Sequence, residues 1–308
     1  MPVALIINAE QVLNMITQGA LFFIIASGLA MIFGLMNIIN FAHGSFIMVG
    51  AYGATEISQR SLNPWLSLPV GFLIGIFVGV LAEFIVIRWL YDRPWDTILA
   101  TIGLSLITVA AVSVIVGKET QTVRPPLEGE WDLGFARYSS YRIVLLIIAV
   151  ALFALLWFLT NRTRLGLMAR AVIMNETLAS THGINSKAVR RWTFVVGCGL
   201  AGFAGAIVTP ISPVTPYMGE EFLVPAFLVV MIASSSVAGL AAAALLLGAT
   251  QSWVGFISDR VLLGSVSIII LTAVILRVMP QGFTTLSAPN GFQLLRRQLS
   301  RSKGAGKG

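Results

Sequence analysis

The chain has 308 residues, 57% hydrophobic and only 11% charged, with a formal net charge of +7. Soluble domains carry about 25% charged residues, so this composition excludes a soluble globular protein. In so apolar a chain the basic surplus reads as cytoplasmic loops facing anionic lipid, not as a nucleic-acid surface. The single Cys198 excludes an intramolecular disulfide, and one Cys with two His suggests no metal cluster.

Apolar runs recur from end to end, each near the roughly 20 residues that cross a bilayer as helix. The expected fold class is therefore all-α, a polytopic transmembrane helical bundle. A β-barrel would show short alternating segments. The opening MPVALIINAE has no basic region and its first ionisable residue is Glu10, so it reads as a retained span rather than a cleaved signal. Spans are predicted at about 11–35, 40–57, 65–88, 97–117, 142–160 and 191–209. The next run, 223–257, is too long for one crossing. Its weak patch ASSSVAGL divides it in two, and a last span covers about 261–279. This gives a transmembrane domain over 1–280 and a basic cytoplasmic tail over 281–308.

Lysine and arginine set the orientation. Arg162, Arg164, Arg170, Lys187, Arg190 and Arg191 put 161–191 inside, and Arg88 and Arg93 do the same for 88–96. The 210–222 loop carries only Glu220 and Glu221 and falls outside, as does the mixed 118–141 loop. The tail, with Arg296, Arg297, Arg301, Lys303 and Lys307, falls inside. N-out and C-in require an odd number of crossings. Nine, within a range of eight to ten, satisfies this only if 223–257 is broken.

Local signals agree. Asp96 after Pro94 can cap the fourth span. Gly71, Gly75 and Gly79 share one face, and Gly197, Ala201 and Gly205 another; small residues at this spacing let helices approach closely in lipid. Among in-span ionisable residues, Glu56 and Arg277 lie near helix ends. Glu83, near the inner end of its span, is expected to anchor the interface, with Arg88 as its nearest candidate partner.

The polar stretch NIINFAHGSF, 37–46, interrupts this apolar chain. In a regular helix Asn37, Asn40 and Gly44 would share a face, with His43 about 120° from Asn37. Three readings compete: an interfacial segment wet by headgroups, a structural one bonding opened backbone, and a lining of the translocation path. Unpaired amides cost several kcal/mol each in hydrocarbon, so each must meet a partner or water. The reading that joins the structural and path roles has the asparagines satisfying opened backbone beside the path, with Gly44 allowing close approach and His43 reaching beyond its own helix.

The sequence holds no G-x-x-x-x-G-K-[ST] phosphate loop and no H-E-x-x-H. His43-Gly44-Ser45 lacks the setting of a hydrolase nucleophile, so an enzyme is not expected. The 161–191 loop is more informative. Leu167, Ala171, Met174 and Leu178 form an amphipathic stripe on a helix predicted over Leu167–Thr181. Gly183 is placed to cap its C-terminus, and Asn185 or Ser186 to start the next helix. A basic connector that only fixes topology is the plainer reading of this loop.

These residues carry a family resemblance. ARAVIMNETLASTHGIN, followed by F-x-x-G-x-G-L-A-G-x-A-G, resembles the signature of bacterial ABC-importer permeases of the branched-chain amino-acid class. INFAHGSFIMVGAY at 39–52 and PYMGEEFLVPAF at 216–227 resemble two further hallmarks, in the expected order. One departure is IASSSVAG at 232–239, where the family often has a Gly-rich turn. Serine replaces glycine only where φ stays negative, which leaves the shape of that break open.

The resemblance implies a permease subunit of the bacterial inner membrane, taking a branched-chain or related amino acid, an amide, urea or an organic acid. It implies as partners a second permease chain, two ATP-binding subunits and an external solute-binding protein. It implies no cofactor in this chain, with ATP and Mg bound by the ATPase partners. Asn37, Asn40, His43 and Gly44 become candidates for the substrate path. Arg170, Asn175, Glu176, Ala179, His182 and Gly183 become candidates for the ATPase coupling loop. A secondary transporter or channel, or a scaffold without transport, is the alternative class.

Overall fold

In the computed structural model the described residues are 9–36, 39–91, 93–132, 137–233 and 236–279. Among them run α1 (Ala9–Met36), α2 (His43–Gln59), α3 (Ser67–Ile85), α4 (Pro94–Ile115) and α5 (Ser140–Arg162). There follow α6 (Arg164–Met174), α7 (Glu176–Thr181), α8 (Ser186–Val208), α9 (Met218–Ala233), α10 (Val237–Ser258) and α11 (Val261–Val278). Among the described residues, β1 (Glu130–Asp132) and β2 (Arg137–Ser139) pair antiparallel in an otherwise helical architecture. The tail 281–308 lies outside the described residues.

Seven of these helices are long and apolar enough to cross a bilayer: α1, α3, α4, α5, α8, α10 and α11. The chain is a multi-pass helical membrane protein. The two remaining predicted spans are the short ones, α2 with 17 residues and α9 with 16. At 1.5 Å per residue each covers about 25 Å, less than the ~30 Å hydrocarbon core.

Two boundaries differ from expectation. Pro94 opens α4, since its fixed φ suits a first turn and its missing N–H costs nothing there. Asp96 therefore lies inside that turn, 3.8 Å from Arg93, and caps nothing. The break before α10 falls where predicted. Ser236 adopts φ −111°, ψ 140° and accepts the Gly239 N–H at 2.9 Å, so at this position serine serves and glycine is not required.

Helix packing forms two units, one comprising Ile24–Phe227 and the other joining the first half of α1 to the chain after Phe227. In the latter, Gly19 of α1 lies against Leu245 of α10, and Gly264 of α11 against the Gln251 carbonyl. In the former, α8 is the hub. Gly71, Gly75 and Gly79 of α3 meet Cys198, Gly199 and Gly202 of α8. The Gly197–Ala201–Gly205 face instead takes Gly28 and Ile32 of α1 and Ile47 and Ala51 of α2. Small residues thus line two faces of α8, and three helices close on it at backbone distance.

The loops of this unit gather at its two ends. At one, the Gln59 side chain donates to Gln121 (3.2 Å), and Gln121 pairs with Val214 in a β-bridge. At the other lie the turn after α3 and the α6–α7 segment.

Candidate functional site

Residues 39–42 of the polar stretch are not helical. Asn40 Oδ1 accepts the Ala42 N–H at 3.0 Å, and its carbonyl accepts the His43 N–H, closing a tight turn before α2. The Asx turn competes with helix, which is why α2 starts at His43 and not at 40. The Phe41 N–H donates to Thr101 Oγ1 of α4 (3.2 Å). Asn37 lies outside the described residues.

Asn40 and His43 are fully buried. The segment from Asn40 to Gly44 is therefore no wetted interfacial turn. His43 Nε2 lies 3.0 Å from the Ile25 carbonyl of α1. A carbonyl only accepts, so Nε2 carries the proton, and in a neutral ring Nδ1 is then an acceptor. Nδ1 of His43 and Nδ2 of Asn40 have no protein partner. Within this turn, one free acceptor and one free donor are thus buried. Ser45 donates to the Ala42 carbonyl (2.8 Å) and is not engaged by His43.

Gly44 touches α9: a Cβ there would lie 2.5 Å from the Gly219 carbonyl oxygen. The Phe41 and Phe227 rings pack at 5.3 Å. Two stretches singled out in the sequence, 39–52 and 216–227, thus meet in space. Gly219 and Thr101 were not identified as site residues; only the match of PYMGEEFLVPAF to a hallmark pointed near the first.

The second candidate region is the α5–α8 connection. The helix predicted over Leu167–Thr181 is two helices, broken at Asn175 (φ −160°, ψ 102°), whose side chain accepts the Leu178 N–H and caps α7. An Asn preferring the cap to the helix interior explains the break. Arg170 donates to the Thr160 carbonyl, clipping α6 to the end of α5. Gly166 lies so close to the Leu159 and Thr160 carbonyls that no side chain fits, a tight turn the sequence did not flag.

Gly183 ends α7 with φ +82°. Its N–H donates to Ser180 (3.0 Å) and that of Ile184 to Ala179 (3.1 Å), which is a Schellman cap. His182, at the C-cap, is exposed. Asn185 starts α8 by accepting the Ala188 N–H at 3.0 Å. Ala179 is buried within this chain. Leu167, Met174 and Leu178 of the predicted stripe are exposed, Met174 at 85%. The stripe is apolar surface without cover in this chain.

Charged groups tie this segment to the bundle. Arg190 pairs with Glu176, and its guanidinium lies 5.3 Å from the Tyr91 ring centroid. The Tyr91 hydroxyl donates to Glu83 (3.1 Å), and Arg191 Nε to the same carboxylate oxygen (3.2 Å). Burial, then the Glu83 charge, raises the Tyr91 phenol above its ordinary range, so it stays a donor. Glu83 is thus a buried, paired carboxylate rather than an interfacial anchor. Arg88 instead stacks on Phe84 and Trp89.

Residues 11–279 match the family described as the permease component of branched-chain amino acid transport systems. The chain is 26% identical to the high-affinity branched-chain amino acid permease protein LivH of Salmonella typhimurium, over 89% of this chain and 94% of that one. Identity to the probable LivH of Methanocaldococcus jannaschii is 26%, covering 94% and 96%. For BraD of Pseudomonas aeruginosa it is 27%, covering 79% and 85%. No solved structure matches the chain significantly.

Proposed function

From the premise that the chain belongs to the permease components of branched-chain amino acid transport systems, membrane subunits and not enzymes, we propose that it is one translocating subunit of a binding-protein-dependent ABC importer in the bacterial inner membrane. It pairs with a second permease chain. Of two ATP-binding subunits, one docks on α6–α7 of this chain and the other on the second permease, and an external binding protein delivers a branched-chain or related amino acid. Nine crossings with the N-terminus out and the C-terminus in complete this reading, with α2 and α9 as the short ones.

The observation that carries it is the α6–α7 segment. Leu167, Met174 and Leu178 expose apolar surface on a segment held by a Schellman turn at Gly183 and an ion pair at Glu176. A loop that merely fixed topology would need neither the uncovered stripe nor the rigid turn. Arg170, Asn175, Glu176, Ala179, His182 and Gly183 then hold the docking element in shape. Its displacement by the closing nucleotide-binding dimer biases the permease between its two states. ATP and Mg belong to those partners.

Asn40, His43 and Gly44 lie beside the path. Asn40 Nδ2 and His43 Nδ1, buried without protein partners, are groups that a passing polar solute or its water can satisfy. Asn37 is assigned to the same stretch on sequence position alone. A secondary carrier usually keeps carboxylates or broken-helix carbonyls available to an ion. Among the described residues the buried carboxylate, Glu83, is already held by Arg191 and Tyr91.

The test is purification of the chain with the ATP-binding, permease and binding proteins of its operon, followed by ATP hydrolysis with a panel of solutes. Hydrolysis stimulated by a branched-chain amino acid with its binding protein is the expected result. Uptake by vesicles holding this chain alone, driven by an ion gradient, would replace the proposal with a secondary transporter.

A further inference from the structure

Arg190 and Arg191 are sequence neighbours near the start of α8, yet they hold different helices. Arg190 reaches Glu176 on α7, and Arg191 reaches Glu83 on α3. Tyr91, in the turn after α3, joins the two pairs: its ring lies under the Arg190 guanidinium and its hydroxyl donates to Glu83. The result is a closed circuit, Glu176–Arg190–Tyr91–Glu83–Arg191, completed by the peptide bond between the arginines. Glu83 is 95% buried at its side chain and Arg190 86%. Arg191 and Glu176 are partly exposed, but stripping the buried Glu83 or Arg190 of its partner is unfavourable, which favours this geometry.

The circuit ends on a stiff body. Beyond Glu83, α3 lies on α8 through Gly71, Gly75 and Gly79, and Gly53 of α2 lies against Ile74 and Val70 of α3. Helices this closely packed shift together rather than deform. The same α2 begins at His43, with Asn40 in the turn that leads into it.

We propose that Tyr91 and Glu83 are positioning residues that form a joint, passing displacement of α7 to α3 and so to α2 beside the path. The Gly183 turn supplies a second, covalent route to α8. The inference rests on the importer reading, because displacement of α7 requires an ATPase docked on it. A staple that only holds the fold would affect stability. A joint affects how much transport each ATP yields.

The experiment uses the full complex reconstituted in proteoliposomes, with ATP hydrolysis and solute uptake measured on the same preparation. Tyr91→Phe keeps the ring over Arg190 and removes the hydroxyl; Tyr91→Leu removes both. Tyr91→Phe is expected to assemble with its partners and hydrolyse ATP at near the wild-type rate. Uptake per ATP is expected to fall about tenfold, the weight one hydrogen bond to a charged group carries in a two-state equilibrium, and further in Tyr91→Leu. Glu83→Gln, if it accumulates normally, shows the same split. Should uptake and hydrolysis fall in parallel in both Tyr91 variants, or neither change, the joint is refuted and the cluster is a staple. If the wild-type chain fails to bind ATP-binding subunits at all, the importer reading fails instead, and the joint with it.

Discussion

Gly44 and Gly219 meet backbone to backbone, with a Cβ on Gly44 placed 2.5 Å from the Gly219 carbonyl oxygen. They lie in the first turns of α2 and α9, the two short predicted spans, and both are buried. The contact locks the start of α2, where Asn40 and His43 lie, to the start of α9.

Gly44→Ala and Gly219→Ala are each expected to destabilise by about 1–3 kcal/mol through overpacking. The effects are expected to be non-additive, because the two methyls contest one space. Gly103→Ala on α4, where nothing lies within 4 Å of the added carbon, is the control and should be neutral or slightly stabilising. Fluorescence-detected size exclusion of each variant in detergent at rising temperature reads the order. Equal thermal stability of Gly44→Ala and Gly103→Ala would deny the close approach.

At Gly183 the relevant property is backbone, not space: φ is +82° and a Cβ would meet nothing within 4 Å. Gly183→Val is expected to oppose the turn by more than about 1 kcal/mol, whereas Asn tolerates the left-handed region. Gly183→Asn should therefore transport nearly as wild type and Gly183→Val poorly, with both chains present in the membrane. Equal loss in Gly183→Asn and Gly183→Val would point to steric exclusion by a docked partner rather than to the turn.

The helical, multi-pass character of the chain was legible because span length and apolarity are local signals. The division of 223–257 rested on its length, its weak ASSSVAGL patch and, above all, parity, and it agrees with a break before α10 at Ser236. What the sequence hid is non-local. Glu83 reaches Arg191, 108 positions away, and nothing in the spacing distinguishes it from Arg88. The Leu167–Leu178 period was visible, but Asn175 fits a helix pattern and a cap equally. The NIINFAHGSF stretch showed that polarity needed partners, not which; its turn depends on Thr101 and Ile25 from other helices. The Gly197–Ala201–Gly205 face was read correctly as a packing surface, while its partners, α1 and α2, were not predictable from spacing.

Orientation is checked by labelling. With Cys198 replaced, a cysteine at Glu128 reports on the 118–141 loop; Gly129 beside it has φ +119° and would strain any side chain. A second cysteine at Ser300 reports on the tail. An impermeant maleimide on intact cells should label Glu128→Cys and spare Ser300→Cys until the cells are permeabilised. Labelling of both before permeabilisation would refute the nine-crossing topology.

The last prediction separates two roles of Asn40. Its Oδ1 holds the turn through the Ala42 N–H, while its Nδ2 is buried without a protein partner. Asn40→Leu removes both and leaves a buried N–H unpaired, at about 1–3 kcal/mol, so folded protein should fall first. Serine can keep the turn, more weakly, but supplies no amide donor. Asn40→Ser should therefore accumulate at near the wild-type level and transport less. His43→Ala loses the bond to Ile25 and frees one α1 carbonyl, which an added water can satisfy. Its transport should drop more than its membrane level. Uptake measured against surface-quantified protein decides the matter. If Asn40→Ser and His43→Ala both carry solute at full rate per molecule, these two side chains only shape the turn and the path runs elsewhere.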